Sequence, residues 1–292
     1  MQTLTGRVAV ITGAGGGFGR EFARLAAHEG MRLALVDVQR DALDETVNEL
    51  RESGVTVFGE VVDVADGAQV EGLARRCYEE YGAVHLLMNN AGVGSGGYLW
   101  EASANDWQWV LGVNLMGIAH GIRYFVPRML TSEAQGEPGH VVNTASIAGW
   151  LAPPLMGVYN ASKHAAVALT ETLYHDLQLA GSRIGVTLVC PAFVPTGIAQ
   201  SHRNRPAALK EPATASARLA QVQMEKAVTS GRLSAADVAA QTFDAIRTER
   251  FYVFTHPQIL PSVQARVAAA IAGEPPADLF AARPKARPAS PG

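Results

Sequence analysis

Short runs of apolar residues alternate along this chain with longer segments in which apolar positions recur every three to four residues. The short runs contain few polar side chains, as expected for strands that are buried on both faces of a sheet. We therefore predict strands at residues 7–12, 32–36, 57–62, 85–88, 140–144, 185–189 and 251–254.

The longer segments have the period of amphipathic helices, and each lies between two predicted strands. They fall at residues 18–29, 40–52, 66–81, 106–129, 158–180 and 235–247. Strands joined through helices form parallel βαβ units. The prediction is an α/β fold, a doubly wound parallel sheet (Rossmann fold) with seven strands and helices on both faces. A ligand is expected beyond the carboxyl ends of the strands.

Two segments depart from this alternation. Residues 195–232 form a long insert rich in Ala, Arg and Gln, which we interpret as a mobile cover over a substrate. Residues 274–292 are rich in Pro and Ala, which is typical of a disordered tail. The predicted organisation is thus a single domain at 1–273 that carries the insert, followed by the tail.

Composition narrows the classes of function. The 292 residues carry a net charge of −3 without a dense basic run, which argues against a nucleic-acid or anionic-membrane partner. Neither a signal-peptide pattern nor a run of about 18 apolar residues occurs, so a cytoplasmic protein is expected. Cys77 and Cys190 are interpreted as core thiols in a reducing compartment.

The segment that joins the first strand to the first helix is rich in glycine. Residues 12–19 read Thr-Gly-Ala-Gly-Gly-Gly-Phe-Gly, and glycines there let the backbone approach a diphosphate at the helix N-terminus. Asp37 ends the second strand, where a carboxylate accepts hydrogen bonds from ribose hydroxyls and repels a 2′-phosphate. NAD is the predicted cofactor, and Arg40 leaves some use of NADP open.

Tyr159 and Lys163 are four residues apart on one predicted helix and therefore share a face. An ammonium beside a phenol lowers the pKa of the phenol from about 10, so that it can exchange a proton with an alcohol oxygen. Such pairs are common in helices. Three further polar residues, Asn90, Asn114 and Ser146, each have a structural alternative as a turn, a helix polar group or a cap, but their order along the chain points to a site.

These motifs together resemble those of the short-chain dehydrogenase/reductases, in the branch with one Rossmann domain, over residues 5–260. The matching motifs are Thr-Gly-x-x-x-Gly-x-Gly at 12–19, Asp63-Val64, Asn-Asn-Ala-Gly at 89–92 and the tetrad Asn114, Ser146, Tyr159 and Lys163. The 13-residue step from Ser146 to Tyr159 is also similar. One departure is Pro191-Ala192, where the family has Pro-Gly.

The resemblance implies a role for each catalytic residue and no metal. Tyr159 is the general acid/base, Lys163 lowers its pKa and holds the nicotinamide ribose, Ser146 binds the substrate oxygen, and Asn114 orders a water. Cofactor contacts are implied for Gly13, Gly15, Gly17, Phe18, Gly19, Asp37, Asp63, Val64, Asn90, Ala91, Gly92, Tyr159, Lys163, Pro191, Val194 and Thr196.

The implied function is NAD-dependent hydride transfer between nicotinamide and a secondary alcohol or its ketone. Two alternatives stay open: a catalytically silent NAD(P)-binding sensor or scaffold of the same fold, and an enzyme that uses the tyrosine for epimerisation or dehydration. The resemblance also implies a homotetramer or homodimer that forms through the helices at 106–129 and 158–180.

Bulky apolar residues flank the predicted site and suggest a hydrophobic, bulky small-molecule substrate. They are Trp150, Leu151, Leu155, Met156 and Phe193, with residues 95–100 and the insert completing the lining. Their alternative role is core or subunit packing. Within the insert, Ser-His-Arg-Asn-Arg-Pro at 201–206 is similar to a stretch found in dehydrogenases of lignin-derived aryl-ether benzylic alcohols and in relatives of unknown substrate.

Overall fold

The computed structural model describes residues 3–137 and 139–276, and seven parallel strands form its centre. The strand order β3-β2-β1-β4-β5-β6-β7 reverses direction between β1 and β4, which confirms the doubly wound fold. The strands are β1 (Val8–Thr12), β2 (Arg32–Asp37), β3 (Val57–Val61), β4 (Leu86–Asn89), β5 (His140–Thr144), β6 (Gly185–Cys190) and β7 (Tyr252–Phe254).

Helices connect these strands. They are α1 (Gly17–His28), α2 (Arg40–Glu52), α3 (Gly67–Tyr81), α4 (Ala104–Leu111), α5 (Gly117–Ala134), α6 (Gly157–Leu179), α7 (Ala215–Thr229), α8 (Ala235–Thr248) and α9 (Leu260–Ala272). The single helix predicted over 106–129 is divided, because a π-helical segment (Gly112–Met116) separates α4 from α5. The sequence analysis did not predict α9.

Two apolar layers cover the sheet, one on each face. Ile11 of β1 packs into a layer with α1, α2 and α8, in which Phe22 and Phe243 are fully buried. Its neighbour Val10 packs into the opposite layer with α3, α5 and α6, which includes Phe125. Each such side chain contributes roughly 1.5–3 kcal/mol when it is buried, so both layers hold the strand ends rigidly.

Contacts divide the chain into two units, Met1–Thr255 and His256–Gly292. The described part of the second unit contains a short 3₁₀ helix, Pro257–Ile259, followed by α9, whose C-cap is Gly273 with φ +72°. The domain boundary that we predicted at residue 273 stays a prediction. The predicted disordered tail lies outside the described residues from residue 277 onward.

Within the described residues, none of the helices combines the length and the apolar character that a membrane span requires.

Candidate active site

Asn90 joins the carboxyl ends of three strands at the switch point. Its backbone N–H donates to Thr12 Oγ1 (2.9 Å) and its side-chain Nδ2 to Thr12 O (2.9 Å), at the end of β1. Its Oδ1 accepts a hydrogen bond from Thr144 Oγ1 at the end of β5 (3.3 Å). Asn90 therefore lies at the centre of the sheet, where its hydrogen bonds connect the end of β4 to the ends of β1 and β5.

The glycine loop is shaped for close approach. Gly13 and Gly17 have φ values of +68° and +51°, which favour glycine, and a Cβ on Gly19 would lie 2.0 Å from Gly13 O. The N-cap of α1, Gly16, supplies no side-chain cap, and a Cβ there would meet nothing within 4 Å. The first turn of α1 thus has no capping side chain and the space beside Gly16 is open, which suits an anion site.

Asp37 is held in place at the end of β2 by two backbone donors. Oδ2 accepts a hydrogen bond from Gly15 N (2.9 Å) and Oδ1 accepts one from Gln39 N (2.9 Å). Each carboxylate oxygen keeps a further lone pair, as two ribose hydroxyls would require. Sequence analysis identified Asp37 but not Gln39, whose only signal is its position two residues after the acid.

The rest of the predicted dinucleotide groove lies along the same edge of the sheet. Asp63 and Val64 follow β3, where Asp63 Oδ1 accepts from Ala65 N (2.9 Å) and Val64 O bonds His120 Nδ1 (2.9 Å). Other predicted cofactor residues gather around the glycine loop. Ala91 N donates to Thr12 Oγ1 (3.0 Å), Phe18 is partly buried against Phe22 (ring centroids 6.4 Å apart), Val194 is buried, and Thr196 Cβ lies 3.3 Å from a Cβ placed on Gly17.

Tyr159 and Lys163 lie in the first two turns of α6. Lys163 is 3% exposed, its Nζ donates to Thr144 O (3.0 Å), and Nζ is 5.8 Å from the centre of the Tyr159 ring. Burial lowers the pKa of Lys163 to about 8, so the ammonium remains mostly charged at pH 7.

The pKa of Tyr159 differs in direction from the sequence prediction. Burial raises it above the usual value, and the hydroxyl of Ser146 offsets only part of that rise. The net shift is upward because desolvation of the phenol dominates, and a lowering of this pKa by Lys163, whose Nζ donates to Thr144 O, stays a prediction.

Ser146 lies between the ends of β5 and β6. It caps a short 3₁₀ helix, since its Oγ accepts from Ala148 N (3.1 Å), and the same hydroxyl donates to Pro191 O (3.3 Å). The side chain is nearly buried and the hydroxyl faces Tyr159. Ser146 therefore both caps the 3₁₀ helix and places its hydroxyl at the candidate site.

Asn114 occupies the π-helical segment and is fully buried. Its side chain pairs with Val93 N and O (2.8 and 2.9 Å) and donates to Ser162 Oγ (3.0 Å). A Cβ on Gly92 would lie 3.5 Å from Asn114 Oδ1 and 3.6 Å from Lys163 Nζ, so the two groups face the same point. π-helical turns often occur at functional sites because they displace the backbone hydrogen-bond ladder.

Two positions at this site were missed by sequence analysis. The carbonyl oxygen of Thr144 accepts a hydrogen bond from the Lys163 ammonium, and its hydroxyl donates to Asn90. The hydroxyl of Ser162 accepts from Asn114 and donates to Tyr159 O (2.7 Å). Small hydroxyl residues are common in strands and helices. Adjacency to Lys163 is the only signal that Ser162 gives in the sequence.

The predicted substrate-lining residues divide into two groups. Trp150 donates from Nε1 to Cys190 Sγ (3.3 Å) and packs edge-on against Tyr252 and Phe254, while Leu151 is 5% exposed. Both residues thus make the contacts expected of core packing, the alternative role that the sequence analysis left open.

Leu155, Met156 and Phe193 lie differently. Leu155 has φ +63°, its carbonyl accepts from Gly97 N (2.9 Å), and Met156 forms a parallel bridge with Gly97. Phe193 is 44% exposed. The loop before α6 is thus paired with the loop after β4.

The insert packs against that same loop. Ser201 Oγ exchanges hydrogen bonds with Gly94 N and O (2.8 and 3.2 Å), and Ser216 Oγ accepts from Tyr98 N (2.9 Å). Arg205 pairs with Asp106 of α4 at 2.6 Å. The insert therefore lies over the loop after β4, whereas its mobility stays a prediction.

Known proteins are similar to this chain in sequence and fold. The family model for the short chain dehydrogenases matches residues 7–207. The CLA biosynthesis dehydrogenase/reductase of Lactiplantibacillus plantarum is 34% identical over 271 residues, which is 91% of this chain and 94% of that protein. The C alpha-dehydrogenase of Sphingobium sp. is 36% identical over 208 residues, or 71% and 67% of the two chains.

One solved structure extends the likeness to the whole fold. A short chain dehydrogenase/reductase from Burkholderia phymatum, crystallised in complex with NAD, is 56% identical and superposes with a TM-score of 0.93. The match covers 95% of this chain and 99% of that chain. The chain belongs to the short-chain dehydrogenase/reductase family.

Proposed function

We propose that this oxidoreductase uses NAD to interconvert a secondary alcohol and its ketone. The observation that carries the proposal is the buried Lys163 ammonium behind Tyr159, with the Ser146 hydroxyl facing the phenol beside an anion-binding glycine loop. Both relatives are named as dehydrogenases, and the relative from Burkholderia phymatum was crystallised with NAD. Assembly as a homodimer or homotetramer stays a prediction.

The residues present fit a dinucleotide. The uncapped start of α1 would hold the diphosphate, Asp37 the adenosine ribose, and Lys163 the nicotinamide ribose. When bound, the nicotinamide supplies or accepts the hydride. Asp63-Val64 and the segment from Pro191 to Thr196 complete the groove in this proposal.

Side chains of this protein transfer the proton and stabilise the substrate oxygen. Tyr159 donates its phenolic proton to the ketone oxygen in reduction and removes the hydroxyl proton of the alcohol in oxidation. Ser146 hydrogen-bonds the same oxygen and stabilises charge on it. Because burial raises the pKa of Tyr159, the phenol is protonated at neutral pH, and the oxidation rate is expected to increase with pH.

Cofactor choice is the first expected outcome. NADP should bind more than a hundredfold more weakly than NAD, because a 2′-phosphate is repelled by Asp37 and loses its two ribose hydrogen bonds, worth about 3 kcal/mol or more. Dissociation constants of NADH and NADPH measured by fluorescence test this. Asp37→Ser should reduce the ratio of the NADPH to the NADH dissociation constant at least tenfold, while the exposed control Asp41→Asn should not change this ratio. Equal affinities in the unmodified protein would remove the role of Asp37.

The second expected outcome concerns the size of the substrate. Leu155, Met156 and Phe193 flank the proposed nicotinamide position, so a bulky apolar substituent of about 100 Å² would gain roughly 2.5 kcal/mol on burial. We expect kcat/KM to follow the order 1-phenylethanol, 2-propanol, sorbitol, with about 50-fold between the first two. Phe193→Ala should reduce this difference. If sorbitol is the best of the three, the apolar residues have only a packing role.

A further inference from the structure

The side chain of Gln39 connects the adenosine end of the groove to the insert. Its backbone N–H holds Asp37 Oδ1, while both ends of its amide are engaged by the insert. Nε2 donates to Asn204 Oδ1 (2.6 Å), and Oε1 accepts from Arg203 Nε (3.3 Å). Two adjacent residues of the insert, some 165 positions further along the chain, are thus attached to the residue that orients the ribose-binding carboxylate.

Arg203 also approaches the start of the insert, which itself contacts the glycine loop. Its NH2 lies 3.0 Å from the position of a Cβ on Gly197. The preceding residue, Thr196, lies 3.3 Å from a Cβ placed on Gly17 at the start of α1. Since Gly15 bonds Asp37, the contacts form a closed ring that runs from the glycine loop through Asp37, Gln39 and the insert and back to the glycine loop.

The charge of Arg203 has no anionic partner in this ring. Among the described residues, no carboxylate forms an ion pair with Arg203, whose side chain is exposed. Its near neighbour Arg205 differs, because it is largely buried and neutralised by Asp106. An uncompensated guanidinium on the segment that contacts the start of α1 through Thr196 is a suitable partner for a phosphate group.

We propose that Arg203 is a cofactor-binding residue of the insert and contacts the diphosphate of the dinucleotide. The ring that it completes through Gln39 then encloses the bound cofactor and slows its release. The insert would serve cofactor retention in addition to covering the substrate. The proposal rests on the dinucleotide site of the proposed function, but it does not depend on the substrate or on the catalytic residues.

Release of NADH from the full-length protein tests this proposal. Arg203→Met keeps the length of the side chain and removes its charge and donors, and it should increase the NADH dissociation rate about fivefold to twentyfold in stopped-flow displacement. NADPH should show a similar increase, because both dinucleotides contain the diphosphate. Hydrogen exchange of the amides at 197–205 should be slowed by NADH less in this variant than in the unmodified protein.

Arg218→Met is the matched control, since Arg218 is an exposed arginine of the insert whose side chain, among the described residues, donates to Ala213 O (2.6 Å) within the insert. It should change the dissociation rate less than twofold. Equal effects of the two variants, an Arg203→Met rate within twofold of the unmodified protein, or an effect confined to NADPH would each overturn the proposal. If the unmodified protein binds neither dinucleotide, the proposed function fails as well. If it binds NADH and only the Arg203 effect is missing, the proposed function stands.

Discussion

Replacing Tyr159 by phenylalanine is expected to lower kcat by about 10²–10⁴-fold while leaving NADH affinity within about twofold of the unmodified protein. The phenol is the group placed to move a proton at the substrate oxygen, and general acid–base catalysis contributes a factor of this size. The ring and its packing on α6 are retained, so the effect is confined to the hydroxyl. Steady-state rates and NADH fluorescence titration measure the two quantities.

Tyr174→Phe is the matched control, because Tyr174 lies on the same helix and is partly exposed. It should leave kcat unchanged. The unmodified protein should oxidise alcohol faster as the pH increases, in line with the raised pKa of Tyr159, and this dependence should disappear with the phenol. A Tyr159→Phe protein that retains more than a few per cent of kcat would contradict the assignment.

Replacing Lys163 by methionine should abolish turnover, weaken NADH binding and stabilise the fold at pH 7. Burial lowers the pKa of Lys163 from 10.5 to about 8, and each pKa unit corresponds to about 1.4 kcal/mol. Holding the ammonium in this site therefore costs about 3 kcal/mol. Loss of the donor to Thr144 O offsets about 1 kcal/mol of the gain, which leaves an expected increase of about 1–2 kcal/mol in the free energy of unfolding.

The sign of the pH dependence distinguishes this explanation from better packing. Below pH 8, Lys163 is protonated in both the folded and the unfolded states, and the cost is complete. Between pH 8 and about 10.5 the unfolded state binds more protons than the folded state. The free energy of unfolding of the protein with Lys163 therefore increases as the pH rises through this range. Denaturant unfolding should show the advantage of Lys163→Met at pH 7 shrinking by pH 10, with exposed Lys210→Met as the unaffected control. A difference in the free energy of unfolding that is the same at both pH values would contradict this explanation.

Most of the sheet could be predicted from the sequence because its strands are buried on both faces. Such burial leaves a nearly continuous apolar run, which gives β1 clear limits. The glycine loop and the Tyr159–Lys163 pair were found for a related reason. Close backbone approach restricts positions to glycine, and helical spacing alone places two side chains on one face.

What the sequence left out depends on tertiary contacts. The π-helical segment at Asn114 has an ordinary helical pattern, and its hydrogen bonds to Val93 are visible only in the fold. The upward shift in the pKa of Tyr159 was not predicted because helical spacing does not specify how deeply the phenol is buried. The choice between pocket lining and packing stayed open for Trp150 because the sequence does not show that its ring packs on β7.

The most direct test of the account is transfer of deuterium from 1-phenylethanol labelled at the carbinol carbon to NAD. NADH formation is followed by absorbance, and the reduced cofactor is analysed by mass spectrometry. The account predicts that the unmodified protein forms NADH carrying one deuterium and that Tyr159→Phe forms almost none. Binding of NAD without NADH formation from this alcohol or any other secondary alcohol would contradict it, and would favour a cofactor-binding protein without catalysis.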